Sequence, residues 1–150
     1  EKIQTRSVGF ILFSESDVFY SDPIDVKIPA PRLITISNVS VLDSQGKAFS
    51  EIKVGSTVQI QSESLIHFLT DPTSDETPYS YYVQIKQSGK TPFVEFIGKY
   101  NGRYIGTGSQ FQSIDWIPEH DGLFFIETFV WDRYNIPIAE QGPVVLLVVK

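Results

Sequence analysis

Two histidines are the side chains of this sequence that could serve as general bases in catalysis. His67 lies in the apolar stretch Leu65-Ile66-His67-Phe68-Leu69, and His120 stands directly before the turn Asp121-Gly122. A hydrolytic site needs a nucleophile, a base and a group that orients the base, and neither histidine has such a set beside it. We therefore expect His67 to be a partly buried strand residue and His120 to be exposed.

Neighbouring carboxylates could support glycoside hydrolysis, which requires two carboxyl groups facing a shared cleft. Asp75 is adjacent to Glu76, and Glu119 precedes Asp121 by two residues. A domain of this size rarely builds such a cleft, so we interpret these residues as solvated loop acids. The motifs G-x-S-x-G and H-E-x-x-H and a phosphate-binding glycine loop are also absent from the sequence. We therefore predict that the chain is not an enzyme.

Calcium is the one cofactor that the sequence leaves open. Hard oxygen ligands in loops suit Ca²⁺, and Asp71, Asp75 and Glu76 share the polar stretch 70–78. The spacing D-x-D-x-D-G does not occur. The hypothesis is one calcium site formed by these three acids.

One sequon for N-glycosylation is present, Asn38-Val39-Ser40. On an extracellular protein such a motif accepts a glycan. Asn38 is therefore a candidate modification site, although it falls within a predicted strand.

Composition narrows the class of protein further. The 150 residues carry 12 Lys and Arg against 18 Asp and Glu, for a net charge of −6, which argues against a nucleic-acid partner. Because Cys is absent, disulfides, thiolate nucleophiles and zinc–thiolate sites are excluded. The longest apolar run, Val144–Val149, is far shorter than the roughly 20 residues of a membrane span. Since the chain begins with Glu1 rather than Met, we expect it to be a piece of a longer protein.

Apolar residues recur with a period of two rather than 3.6, which indicates strands. Short apolar runs separated by glycine-containing turns are typical of an antiparallel sandwich. Asn101-Gly102 is the strongest hairpin signal, and 70–78 is predicted to be a surface loop. The predicted strands are 33–42, 56–64, 79–87, 92–98, 103–105, 109–116, 122–132 and 143–149.

The first 30 residues form a separate segment, because Pro29-Ala30-Pro31 is a short stiff linker. Pro23, Ile24, Val26 and Ile28 match Pro143, Val144, Leu146 and Val148 at a constant offset of 120. We interpret residues 1–30 as a β-hairpin, either the end of a preceding repeat or a donor strand, and residues 33–150 as a complete sandwich. A lone hairpin is only marginally stable, so it must pack on this sandwich or pair with another chain.

The strand 122–132 is apolar on both faces. If Phe124, Ile126 and Val130 point into the core, the opposite face is too apolar for water. We predict a contact patch there. Its residues are Leu123, Phe125, Phe129 and Trp131, with Tyr82 from the neighbouring strand. The same aromatic side chains could instead stack on sugar rings.

Several motifs resemble a known family. The corner Asp115-Trp116-Ile117-Pro118, the stretch Asp121–Glu127 and the ending Phe129-Val130-Trp131-Asp132 are similar to the end of an immunoglobulin-like surface repeat. The segments 34–46 and 54–60 are similar as well. Together they resemble the Ig-like repeats of archaeal cell-surface and S-layer proteins, in particular those of ammonia-oxidising archaea. The resemblance implies an all-β, Ig-like antiparallel sandwich with a structural role outside the cell, and it supplies no catalytic residues.

The function that we expect is a non-catalytic assembly module of a cell-surface protein, acting through domain packing and strand pairing. Its partners would be other domains or copies of the same surface protein. Two alternatives stay open. One is the subunit of a donor-strand surface filament, and the other is an adhesin module that binds carbohydrate or protein.

Overall fold

The computed structural model describes residues 33–150, together with four two-residue strands that precede them. These are β1 (Ser7–Val8), β2 (Phe13–Ser14), β3 (Val18–Phe19) and β4 (Ile24–Asp25). The chain divides into two compact units, Glu1–Pro31 and Arg32–Lys150.

The four short strands form two antiparallel pairs. Ser7 pairs with Asp25 and Val8 with Ile24, while Phe13 pairs with Phe19 and Ser14 with Val18. Antiparallel strand pairing is therefore present in the N-terminal segment, and the rest of the predicted hairpin lies outside the described residues.

Seven longer strands form the second unit, and the residues that the structure describes contain no helix. They are β5 (Ile34–Leu42), β6 (Val58–Ile66), β7 (Glu76–Gln87), β8 (Phe93–Ile105), β9 (Gly108–Trp116), β10 (Gly122–Trp131) and β11 (Val145–Val149). A three-stranded sheet has the order β5-β6-β9, and a four-stranded sheet has the order β11-β10-β7-β8. All neighbours in both sheets are antiparallel. The predicted all-β, Ig-like antiparallel sandwich is confirmed.

One strand departs from the constant-type immunoglobulin order. In that order the fourth strand joins the sheet of the first, second and fifth strands. Here the fourth strand, β8, pairs with the third, β7, along twelve residue pairs. The second sheet therefore has four strands and presents the wider outer face.

The core lies between the inner faces of the two sheets. Along β6 buried and half-buried residues alternate without a break, as expected for a strand with one face on the core. Val83 and Ile85 of β7 and Phe124 and Ile126 of β10 are fully buried. The ring of Trp116 meets the ring of Phe124 edge-on, with the centroids 5.3 Å apart.

Buried tyrosines connect the two sheets through hydrogen bonds. Tyr81 Oη of β7 lies 2.6 Å from Ser62 Oγ of β6. Tyr104 Oη of β8 lies 3.0 Å from Ser64 Oγ of β6 and 2.9 Å from Gln112 Oε1 of β9. Gln112 Nε2 also donates to Ser64 Oγ. Each buried hydroxyl in this network thus has a partner on the opposite sheet, which avoids the cost of an unsatisfied polar group.

The hairpin predicted at Asn101-Gly102 is wrong, because β8 runs without interruption from Phe93 to Ile105. Asn101 Oδ1 accepts a hydrogen bond from Ser80 Oγ at 2.7 Å. A Cβ at position 102 would lie 2.5 Å from Tyr79 Oη, so this glycine makes room for a ring. The chain reverses between β8 and β9 instead, where Gly106 and Gly108 have positive φ.

We expect the domain to lose stability steeply in alkali. Burial raises the pKa of Tyr81 and of Tyr104 above the usual tyrosine value, whereas in the unfolded chain both titrate near pH 10, as tyrosine does in peptides. Above about pH 10 the unfolded state therefore releases protons that the folded state keeps. The free energy of unfolding should fall by about 1.4 kcal/mol per pH unit for each of these tyrosines.

Urea unfolding at several values between about pH 9 and pH 11.5 measures this slope. Tyr104→Phe should reduce the slope by about one third to one half, whereas Tyr134→Phe, at a ring that is 85% exposed, should leave it unchanged. Equal slopes in the two variants would contradict the attribution of the alkaline loss of stability to the buried tyrosines.

Gly102→Ala should destabilise the fold by about 1–3 kcal/mol, because the added methyl group collides with the buried Tyr79 ring. Gly89→Ala is the matched control, since a Cβ there meets nothing within 4 Å. The midpoints of thermal unfolding of the two variants give the comparison, and a Gly102 variant as stable as the Gly89 variant would be inconsistent with the close approach.

Candidate contact surface

The outward side chains of β10 form the centre of the candidate site. Phe124, Ile126, Thr128 and Val130 are fully buried, so the alternate residues point away from the core. These are Leu123, Phe125, Glu127, Phe129 and Trp131. The contact patch residues of β10 therefore lie on the outer side of the four-stranded sheet.

Neighbouring strands extend this surface in both directions. Leu146 of β11 lies opposite Phe125, and Val148 lies opposite Leu123. On the other side Tyr82 of β7 lies opposite Phe129. Further along, Ile97 of β8 lies opposite Gln84 and Val94 lies opposite Lys86. We call this surface, with Val144 at its margin, the outer apolar face.

Many side chains of the outer apolar face are open to solvent. The exposed fractions are 50% for Val144, 58% for Leu146, 55% for Val148 and 62% for Ile97. Phe125, Phe129, Trp131 and Tyr82 are half-buried by one another and by their neighbours. An apolar surface that extends across four strands is unusual for a soluble domain that acts alone.

The outer face of the three-stranded sheet is polar by contrast. The outward residues of β6 include Gln59, Gln61 and Glu63, and they lie opposite Asp115, Ser113 and Phe111 of β9 respectively. Phe111, 60% exposed, and the half-buried Leu42 and Leu65 are large apolar side chains on this otherwise polar face. The apolar character thus belongs to one face of the sandwich.

A charged cluster lies within the outer apolar face, and its groups satisfy one another. Gln84 Nε2 donates to Glu127 Oε1 at 2.8 Å, and Lys86 Nζ lies 3.2 Å from Glu127 Oε2. The side chain of Glu127 is only 17% exposed. Both carboxylate oxygens of Glu127 therefore have a partner within the same sheet.

An aromatic pair occupies one end of the outer apolar face. The rings of Tyr82 and Trp131 are 5.1 Å apart and tilted by 57°. Lys99 Nζ lies 5.6 Å from the centre of the Tyr82 ring, within the range of a cation–π contact.

An open cavity of about 450 Å³ lies between the start of β8 and the end of β9, and it shares Val94 with the outer apolar face. Glu95 lines it with a side chain that is 8% exposed, and His120 Nδ1 lies 3.1 Å from Glu95 Oε2. Asp115 and Glu119 are also in the lining, beside apolar residues such as Phe93 and Ile117. None of its lining residues is Ser, Thr, Cys or Lys, so the cavity contains no hydroxyl, thiol or amine nucleophile for His120 to activate.

His120 and Glu119 are loop residues, as predicted from the sequence. Glu95 was not predicted to be part of a cavity. That residue lies at an irregularity of the β7–β8 ladder, where Ile85 pairs with Phe96 and Lys86 with Val94. No motif marks it in the sequence. His67 is exposed rather than partly buried, because β6 ends at Ile66, and a nitrogen of its ring lies 2.9 Å from Thr35 Oγ1.

Two of the three acids proposed for calcium have other partners. Asp71 Oδ1 accepts hydrogen bonds from the amide and hydroxyl of Thr73, which lower the pKa of this carboxyl. Glu76 pairs with Arg103 across β7 and β8. Within the described residues no group of three or more His, Asp and Glu side chains is placed to hold a metal, so Asp71, Asp75 and Glu76 do not come together as a calcium site.

Asn38, the candidate glycosylation site, is exposed on the edge strand β5. It lies where the β5–β6 register shifts, after Ile36. Asn38 Nδ2 donates to Ser40 Oγ, the hydroxyl of the same sequon, at 3.1 Å. The strand position therefore leaves this side chain accessible.

Glu127→Ala should destabilise the sheet by about 1 kcal/mol, because it leaves Gln84 without its acceptor and Lys86 without its counterion. Glu51→Ala is the control, since Glu51 is 45% exposed and lies 3.8 Å from Lys150, and it should change stability by a few tenths of a kcal/mol at most. Urea midpoints measure both, and equal losses would argue against a distinct role for the Glu127 cluster.

Comparison with known proteins adds a limited amount. No protein-family model matches the chain, and no curated protein does. Among solved structures it is similar to a β-glucosidase from Kluyveromyces marxianus in complex with glucose, with 9% identity and a TM-score of 0.36. The match covers 92% of this chain but only 17% of the enzyme's chain, and a likeness this weak carries no argument about activity.

Proposed function

We propose that this chain is a structural, non-catalytic assembly module of a cell-surface protein, which acts through domain packing and strand pairing. The observation that carries the proposal is the outer apolar face, set against the polar outer face of the other sheet. A sandwich that worked in isolation would be expected to present polar residues on both outer faces.

Packing against a partner is the favoured use of this face because it would remove exposed apolar side chains from water. Burial of apolar surface contributes about 25 cal/mol per Å². Val144, Leu146, Val148 and Ile97 are each at least half exposed, so a partner would cover them. The Glu127 cluster does not oppose this, since its charges are already paired within the sheet.

The resemblance to Ig-like repeats of archaeal S-layer proteins supports a place outside the cell. In that setting the partners are other domains or copies of the same surface protein. None of the described residues forms a helix that is long and apolar enough to cross a membrane.

Strand pairing has support from the edge of the four-stranded sheet. Among the described residues β8 pairs with β7 alone, although it is 13 residues long. Its exposed apolar residues include Phe93, Tyr100 and Ile105. Long apolar edges are suited to the addition of a strand from another chain, which is the step that a donor-strand filament needs.

A binding module is the second candidate, and the Tyr82–Trp131 pair favours it. Half-buried aromatic rings on a flat sheet can stack on sugar rings. Glycan-array binding that disappears in Trp131→Ala would support this function, whereas binding that is absent or unaffected by the substitution would remove it.

Leu146→Glu should abolish self-association of the 150-residue chain, because it introduces a charge into the outer apolar face. Phe111→Glu is the matched control, since it adds the same charge at a similarly exposed residue of the opposite face. Sedimentation velocity over a range of concentrations measures the result. We expect association in the wild-type chain and in the Phe111 variant only.

Circular dichroism of both variants should match the wild type, because Leu146 and Phe111 both lie outside the core. If the wild-type chain fails to associate, or if both substitutions weaken association equally, the assembly function proposed for this face is wrong.

A further inference from the structure

We infer that the occupant of the outer apolar face is the same face of a second copy of this chain, in a two-fold symmetric pair. This inference rests on the proposed assembly function and names its partner. A two-fold interface uses one surface twice, so the surface must be large enough, must bury no unpaired charge and must complement itself.

The size of the face meets the requirement. Neighbouring strands lie about 4.8 Å apart and each residue advances the chain by about 3.4 Å. Four strands over about eight residues therefore cover roughly 500 Å² of flat sheet. Two such faces together supply about 1,000 Å², which is near the lower limit for a specific protein–protein interface.

Charge within the face is compatible with burial. Glu127 is held by Gln84 and Lys86 of the same copy, so covering the cluster leaves no carboxylate oxygen without a partner. Lys99 lies at the Tyr82 end of the face, where its ammonium group can stay in water beside a partner. A buried charge without a partner would instead cost several kcal/mol.

Self-complementarity follows from the order of the strands. A two-fold axis that lies between β7 and β10 and runs along them sets β10 of one copy against β7 of the other. Glu127 then faces Gln84 rather than a second carboxylate. The outer strands β11 and β8 also face each other across the pair.

The contacts between those outer strands would be apolar. Leu146 shares a row across the sheet with Val94 through Phe125 and Lys86. Val144 precedes Leu146 by two residues, and Ile97 follows Val94 by three. All four are between 45% and 62% exposed. The axis described above brings Leu146 of one copy onto Val94 of the other, with Val144 and Ile97 close by, so exposed apolar residues of the two copies cover one another.

The pair should be weak and should strengthen with salt. An interface of minimal size gives modest affinity, and each copy carries a net charge of −6, so two copies repel at low ionic strength. Apolar contact is not weakened by salt, whereas the repulsion is screened.

A mixing experiment tests the inference. Wild-type chain is titrated into a fluorescently labelled Leu146→Glu variant, and the sedimentation of the label is followed. If face meets face, the variant should bind wild type at least tenfold more weakly than wild type binds itself. The mass of the wild type should also stop at two copies, and Ile97→Glu should abolish pairing as Leu146→Glu does.

The outcomes separate this inference from the proposed function. Undiminished binding of the labelled variant to wild type, or growth beyond two copies that still depends on Leu146, would mean that the face meets a different surface. The assembly function would then stand and the face-to-face pair would be overturned. Absence of any association that depends on Leu146 would overturn both.

Discussion

The hydrogen bonds between buried tyrosines and β6 are the constraint on which the rest of this structure depends. The chain has no cysteine, so no disulfide can join the sheets as it does in antibody domains. Tyr81 and Tyr104 reach across the core to Ser62 and Ser64 instead. Because these tyrosines belong to β7 and β8, the network fixes the strands whose outward residues form half of the outer apolar face. Packing inside the sandwich and the surface outside it are therefore coupled through the same two strands.

The alternation of apolar residues was sufficient to predict the class of fold and the two sides of β10. That information is local, since inward and outward residues of a strand alternate with a period of two. The prediction of a hairpin at Asn101-Gly102 was wrong because Gly102 has a different role. It lies against the Tyr79 ring, where a residue with a side chain would not fit. Contacts between distant residues, such as Glu95 with His120 and Arg103 with Glu76, depend on strand order and register, which the pattern of a single strand does not contain.

The two outer faces of the sandwich differ in polarity. Polar residues on β6 and β9 keep one side in water, which would suit the proposed assembly module before it associates. The exposed Asn38 lies on β5, a strand of the other sheet. Contact between copies through the outer apolar face would consequently leave a glycan on Asn38 free of the interface. Weak contacts of this kind gain strength when many are linked in one array.

The paired charges of Glu127 and Lys86 have a consequence for the accuracy of assembly. A purely apolar sheet can slide along another with little penalty, because one methyl group replaces the next. A polar cluster in the middle of the face would restrict that freedom, since a slide by one row along the strands presses the Glu127 carboxylate of one copy against the Tyr82 ring of the other and excludes the water that would compensate it. In the proposed pair the cluster would thus favour the aligned arrangement over a slide by one row, while adding little to affinity.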